Sequence, residues 1–136
     1  MTPTTSRPQM ARPLSPHLTI WKWGPHMLVS ILHRLTGGAL TVAGLAVLTW
    51  WLLAISGGTE GYASFARAAG SPVGLFVLVG LTWAFWQHFF SGVRHLVLDI
   101  GAGYELKINR LFSVLTIAAA LLATALTWFI VMGVGR

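Results

Sequence analysis

Three long stretches of this sequence contain no charged residue. They lie between Arg34 and Glu60, between Arg67 and Arg94, and between Arg110 and Arg136. A helix needs about 20 apolar residues to cross a hydrocarbon core about 30 Å thick, and each stretch is longer than that. Because backbone polar groups cannot be left open in lipid, apolar runs this long are typical of helices rather than of barrel strands. The pattern therefore predicts three transmembrane helices.

Turn-forming residues between the runs indicate where the helices end. Ser56-Gly57-Gly58-Thr59 follows the first run, Ser71-Pro72 is a typical helix start, and Gly101-Ala102-Gly103 closes the second run. The segment 60–70 carries the weak pattern of a short interfacial helix. The segment 1–25 is rich in proline and has no acidic residue, which predicts an extended or irregular conformation. This segment lacks the apolar centre of a cleaved signal peptide.

Basic residues are distributed unevenly between the two sides of the predicted bundle. One side has Arg67 and Arg136, and the other has Arg7, Arg12, Lys22, Arg34, Arg94, Lys107 and Arg110. The positive-inside rule places the more basic side in the cytoplasm, or in the equivalent matrix compartment. The predicted organisation is a cytoplasmic segment (1–25), transmembrane helix 1 (26–55), a periplasmic loop (56–72), transmembrane helix 2 (73–98), a cytoplasmic loop (99–107) and transmembrane helix 3 (108–134).

Composition narrows the functional class. Of the 136 residues, 9% are charged and 55% are hydrophobic, with a mean hydropathy of +0.72. This balance excludes a soluble enzyme and a disordered chain. Without cysteine, the chain holds no disulfide, no thiolate metal site and no iron–sulfur cluster. The net charge of +6 comes from thinly spread basic residues, so the partner it indicates is membrane lipid and not nucleic acid.

The first predicted helix opens with polar residues. Ser30 and Arg34 are one turn apart and share a face, and His33 lies beside them. Arg34 is roughly 13 Å along the helix from Pro25, a depth at which an arginine must reach back to water or find a partner. In one interpretation the side chain of Arg34 reaches the water at the cytoplasmic interface, and Gly37-Gly38 only allows neighbouring helices to pack closely. In the other, these residues bind an anionic or carbonyl-bearing ligand, and the glycines admit something flat.

The second predicted helix carries a polar stripe. His88, Gly92, His95 and Asp99 fall on one face, while most other positions are Phe, Trp, Leu or Val. A membrane histidine is often only a hydrogen-bonded packing residue. Here, however, the imidazole of His88 is buried, has space beside it at Gly92 and has cationic groups nearer the water. These surroundings suit a haem whose iron is bound by His88 and whose propionates are bound by His95 and Arg94.

A six-coordinate haem needs a second axial ligand from another element. His95 shares a helix with His88 and cannot reach the opposite face of the ring, and His33 is shallow. His17 and His26 lie in or next to the N-terminal segment. A partner subunit or a second copy is therefore expected to supply the other histidine, and with a partner subunit this three-helix chain is part of a heteromeric haem-binding bundle.

Three motifs resemble a known family, the cytochrome b subunits of succinate dehydrogenase, which are the larger membrane anchors of respiratory complex II. Arg12-Pro13-Leu14-Ser15-Pro16-His17-Leu18-Thr19-Ile20 is similar to the family's N-terminal segment. Ser30-Ile31-Leu32-His33-Arg34-Leu35-Thr36-Gly37 is similar to its first-helix motif. The third match is His88-x-x-x-Gly92-Val93-Arg94-His95-Leu96-x-x-Asp99-x-Gly101. The three motifs span residues 12–101 in the family's order.

The resemblance implies specific roles. His88 corresponds to the axial ligand of haem b, whose other ligand comes from a second, smaller anchor subunit. Ser30 and Arg34 correspond to residues of the ubiquinone pocket, and His33, Arg34 and His95 to positions near the haem propionates. The implied partners are a flavoprotein subunit and an iron–sulfur subunit. The implied location is the bacterial inner membrane rather than the mitochondrial one, and the role of Asp99 stays open, with an ion pair as the plain interpretation.

Other classes remain as alternatives. A structural anchor without haem would have the same three helices. A small transporter would need an ionisable coupling group at the membrane midplane, but no Asp or Glu lies at that depth. A fumarate reductase-type anchor shares the architecture, although a single deep histidine argues against a two-haem version.

Overall fold

A computed structural model of the chain describes residues 23–134. Over this range it is helical with short connections and has no strand. Its helices are α1 (Pro25–Ala39), α2 (Leu45–Ser56), α3 (Gly58–Ala69), α4 (Pro72–Asp99) and α5 (Leu106–Val134). The N-terminal motif around His17 lies outside the described residues.

Three helical segments are long and apolar enough to cross a membrane. They are Pro25–Ser56, which joins α1 and α2 without a break, Pro72–Asp99, and Leu106–Gly133. Each covers most of one charge-free stretch of the sequence and extends past it over charged residues such as Arg34 and Arg94. The structure thus confirms an all-α membrane protein with three transmembrane helices.

The first membrane span contains a wide turn that the sequence pattern did not predict. Residues Leu40–Gly44, between α1 and α2, form a π-helical segment. The hydroxyl of Thr41 donates a hydrogen bond to the carbonyl oxygen of Gly37 at 2.9 Å. Hydroxyl groups that bond to the preceding turn in this way often bend helices. A change of helical pitch of this kind cannot be predicted from the pattern of apolar residues in the first membrane span.

The connection that was predicted as a loop over 56–72 contains the helix α3. Glu60 lies in its first turn and Arg67 in its last, an arrangement that complements the helix dipole. α4 then begins at Pro72, and the side chain of Ser71 accepts a hydrogen bond from the backbone N–H of Gly74 at 3.1 Å. The first and second membrane spans are therefore joined by a helical connection.

Burial is inverted relative to a water-soluble protein. Among the described residues, the buried apolar side chains are few and mostly small: Val29, Ala54, Ala84 and Ala120. The buried polar and charged residues are more numerous: Thr36, Gln87, Ser91, Arg94, Ser113, Thr116 and Thr124. Large apolar side chains cover the outside of the helices. This distribution is typical of membrane helices, which pack through small and polar residues and expose apolar ones to lipid.

A polar seam joins α4 to α5. On α4, Gln87 donates a hydrogen bond to Ser91 at 3.1 Å, and Arg94 donates one through Nη2 to the side-chain oxygen of Asn109. Further along the same pair of helices, the indole N–H of Trp86 donates to the hydroxyl of Thr127 at 3.1 Å. The buried cation Arg94 is thus held by a neutral amide at the start of α5.

Replacing Asn109 by alanine is expected to destabilise the α4–α5 pair. The guanidinium of Arg94, 7% exposed, would lose its side-chain acceptor, and a buried polar group left unpaired costs about 1–3 kcal/mol. Thermal dissociation in detergent should show a lower midpoint for Asn109→Ala, while Asn109→Asp keeps an acceptor and should stay near wild type. Equal midpoints for all three proteins would show that the Arg94–Asn109 bond contributes no stability.

Candidate functional site

The first and second membrane spans bring three histidines together. The imidazole rings of His33 on α1 and His88 on α4 are stacked, with centroids 4.1 Å apart and planes inclined by 6°. The ring of His95 lies further along α4, with its centroid 5.0 Å from that of His33 and its plane tilted by 57°. Side chains that are distant in the sequence therefore meet at one place between the helices.

His88 is anchored to the backbone of α1. Its Nδ1 lies 3.2 Å from the carbonyl oxygen of His33. A carbonyl oxygen only accepts hydrogen bonds, so the imidazole tautomer that satisfies this contact carries its proton on Nδ1. Nε2 then keeps a free lone pair, which is the form of imidazole that binds a metal.

The stacked pair cannot act as two axial ligands of one iron in this arrangement. Axial imidazoles point their nitrogens at each other through the metal, whereas His33 and His88 face each other through their ring surfaces. In the described residues, moreover, no three His, Cys or acidic side chains are arranged to hold a bare metal ion. Among the described residues the cluster is therefore not a chelating set for a bare metal ion, and His88 presents a nitrogen, Nε2, whose lone pair is left free by the bond at Nδ1.

The two glycines expected to make space behave differently. Gly92, one turn from His88, is open: a Cβ built there meets no atom within 4 Å. Gly37 is close to the ring of His88, where a Cβ would lie 2.9 Å from Cε1. The flat group beside Gly37 is therefore an imidazole of the same chain, while the space beside Gly92 is open.

Ser30 and Arg34 lie one turn apart on α1, as their spacing requires. Ser30 is half-buried and Arg34 is exposed. Within residues 23–134 the guanidinium of Arg34 has neither a carboxylate nor another side-chain partner, so it is available to a ligand or a neighbouring subunit. His26, near the start of the same helix, is exposed as well.

The structure corrects one interpretation of the second helix. Arg94 was expected beside His95 as a propionate partner, but it is buried against α5 and bonded to Asn109. The sequence interpretation missed Gln87 and Ser91, which lie on this same face of α4. Their signal was present, because positions 87, 91 and 94 repeat with helical spacing next to the His88 stripe.

Asp99, at the end of the stripe, is exposed and forms no ion pair within the part of the chain described here. The ion pair expected for it is thus not formed with a residue of α1, α4 or α5. Its position at the last turn of α4 leaves the carboxylate at the end of the bundle.

Comparison with known proteins identifies the family. Residues 8–127 match the model of the succinate dehydrogenase/fumarate reductase transmembrane subunit. The chain belongs to this family. The match covers the three histidines, the pair Ser30 and Arg34, and most of the three membrane spans.

Individual relatives agree with the family match over most of the chain. It is 38% identical over 116 residues to the succinate dehydrogenase cytochrome b556 subunit of Paracoccus denitrificans, covering 85% of this chain and 88% of that protein. It is 36% identical over 128 residues to the succinate dehydrogenase cytochrome b556 subunit of Rickettsia felis, covering 94% of this chain and 99% of that protein. The human mitochondrial cytochrome b560 subunit is 37% identical over 103 residues, covering 74% of this chain and 59% of that protein. The resemblance found in the sequence motifs is confirmed, and the chain is a multi-pass membrane subunit.

Proposed function

We propose that this chain is a membrane-anchor cytochrome b subunit of succinate dehydrogenase, which binds haem b and helps to form the ubiquinone-reduction site. The observation that carries the proposal is His88, held by its Nδ1 at 3.2 Å from the carbonyl oxygen of His33. The family match and the cytochrome b names of the relatives support the same assignment.

Three features of the chain fit a haem. His88 has one nitrogen engaged by the backbone and the other free for iron, which is the usual arrangement of a metal-bound histidine. Gly92 leaves open space one turn away. Nδ1 of His33 is buried and has no hydrogen-bond partner in residues 23–134, so it is suited, with His95 and Arg34, to meet propionate oxygens.

The haem is shared with a second, smaller anchor subunit. The stacked geometry of His33 and His88 does not suit two imidazoles binding one iron from opposite sides, which supports a second ligand supplied by that subunit. When bound, the haem supplies a one-electron redox centre within the bundle. This chain's part is to hold His88 in one tautomer and one orientation.

Ser30 and Arg34 bind the quinone at its carbonyl oxygens. A ubiquinone that accepts two electrons and two protons becomes a quinol, and negative charge develops on its carbonyl oxygens as the electrons arrive. The permanent charge of Arg34 stabilises that oxygen, and the hydroxyl of Ser30 donates a further hydrogen bond. Because both residues lie in the first turns of α1, the protons come from the adjacent aqueous side.

The other redox centres belong to partner subunits. The chain has no cysteine for an iron–sulfur cluster and no glycine-rich fingerprint for a dinucleotide, so a flavoprotein subunit oxidises succinate and an iron–sulfur subunit carries the electrons. The basic side of the bundle, with Arg34 and Lys107, faces these subunits in the cytoplasm of a bacterium. The chain resides in the inner membrane.

A fumarate reductase-type anchor is the second candidate, because the matched family includes both enzymes. The two differ in the direction of electron flow and in the quinone they use. Haem b and ubiquinone remain the proposal, since His88 combines a nitrogen free for iron with open space at Gly92, one turn away.

Gentle purification through a tag on this chain tests the assignment. We expect a flavin-containing subunit, an iron–sulfur subunit and a second small membrane subunit to co-purify, together with succinate-dependent reduction of ubiquinone. Fumarate reduction by a low-potential quinol as the dominant activity would favour the second candidate. A preparation of this chain without soluble redox subunits would contradict both.

A further inference from the structure

The close approach between α1 and the ring of His88 occurs at Gly37. A Cβ at position 37 would lie 2.9 Å from Cε1 of His88 and 3.3 Å from Nδ1. Real Cβ atoms essentially never come within 3.0 Å of another side chain. The obstacle is a ring that is already held by a hydrogen bond and stacked on His33, rather than the free end of a flexible side chain.

The same approach allows His88 to reach the backbone of α1. In an α-helix the carbonyl oxygen of residue 33 points toward residue 37. A side chain at position 37 would therefore stand beside the oxygen that Nδ1 of His88 approaches to 3.2 Å. Without a side chain there, the second lone pair of the His33 carbonyl stays accessible to the imidazole.

A buried hydroxyl lies beside the same backbone acceptor. Thr36 is 3% exposed, and its hydroxyl donates to the carbonyl oxygen of Leu32 at 2.7 Å and lies 3.2 Å from that of His33. The carbonyl that accepts from His88 thus belongs to a turn whose polar atoms are bonded within the bundle. His88 meets a rigid acceptor and not a fraying helix end.

We propose that Gly37 is a positioning residue for the haem ligand: its missing side chain lets His88 bond the His33 carbonyl, which fixes the imidazole tautomer and orientation. This inference rests on the proposed function, because it concerns how the iron-binding nitrogen of His88 is presented. A bond from Nδ1–H to a carbonyl raises the basicity of Nε2 and favours oxidised iron. Loss of the bond weakens the ligand and raises the midpoint potential of the haem.

The neighbouring Gly38 is a matched control. It lies on the same helix, and a Cβ built there meets no atom within 4 Å. The two glycine-to-alanine changes add the same methyl group and give the same gain in helix propensity. They differ in the contact with His88.

The experiment compares Gly37→Ala, Gly38→Ala and wild type as assembled complexes purified from membranes. Haem retention, the midpoint potential of the haem and the electron paramagnetic resonance of the oxidised iron are measured. In Gly37→Ala we expect haem retention to be about 10- to 100-fold weaker, a raised midpoint potential and an altered resonance. Gly38→Ala should match wild type in all three measurements.

Wild-type haem retention, midpoint potential and resonance in Gly37→Ala would overturn the inference while leaving the proposed function intact. A wild-type complex without haem would overturn the proposed function itself.

A second comparison decides the case in which Gly37→Ala does not assemble. His88→Gly removes the ring, and assembly is compared without added imidazole, so that the space beside position 37 stays empty. In that background Gly37→Ala should have no effect on assembly, because nothing remains for its methyl group to strike. A double variant that still fails to assemble where His88→Gly alone succeeds would show that Gly37 acts on something other than His88.

Discussion

Replacing His88 by alanine is expected to abolish the b-type haem spectrum of the complex. The free ring nitrogen of His88, Nε2, is the proposed iron ligand of this chain, and its Nδ1 is committed to the His33 carbonyl. Without it, the iron loses its axial ligand from this chain. We expect the α-band in the reduced-minus-oxidised spectrum to disappear and haem content per flavin to fall at least about 10-fold.

His26→Ala is the control for this change. His26 lies on the same helix as His33 but is exposed, so its loss should leave the haem spectrum unchanged. A normal α-band in His88→Ala would refute the ligand assignment, and His88 would then be a packing residue of a structural anchor.

Replacing Arg34 by alanine is expected to reduce quinone reductase activity by about 10²-fold, the usual cost of removing one donor that stabilises a developing negative charge on oxygen. The guanidinium is exposed on the isolated chain and one turn from Ser30. Oxidation of succinate by a soluble artificial acceptor should stay near the wild-type rate, because that reaction uses only the partner subunits. The ratio of the two activities is the measurement.

Two further variants show how a changed ratio of quinone reductase activity to succinate oxidation is to be interpreted. Arg34→Lys keeps the positive charge but loses the planar donor group, so an intermediate rate is expected. Arg67→Ala removes an exposed arginine from the last turn of α3, on the other side of the predicted bundle, and should change neither activity. If Arg34→Ala lowered both activities together, Arg34 would be required for assembly rather than for quinone chemistry.

The membrane spans could be predicted from the sequence because they depend on the composition of one continuous segment each. A charge-free run of about 20 residues has one stable form in lipid, so Pro25–Ser56, Pro72–Asp99 and Leu106–Gly133 follow from the run lengths. The polar face containing His88 and Gly92 could also be predicted, since helical periodicity fixes which residues of one helix share a side.

The contacts between helices could not be predicted in this way. The stacking of His33 on His88 depends on the relative height and rotation of α1 and α4, which periodicity within each helix does not determine. For the same reason Arg94 was assigned to the haem face, although it bonds to Asn109 on α5. Gly37 and Gly38 are equivalent in the sequence, and only the packing of α4 distinguishes them.

A dithionite-reduced minus oxidised absorption spectrum of the intact complex, purified through a tag on this chain, tests the central claim most directly. A b-type α-band at about one haem per flavin is expected, with His88 as the iron ligand from this chain. An intact complex with flavin and iron–sulfur subunits but no haem band would contradict the claim. The chain would then be an anchor with a quinone site at most.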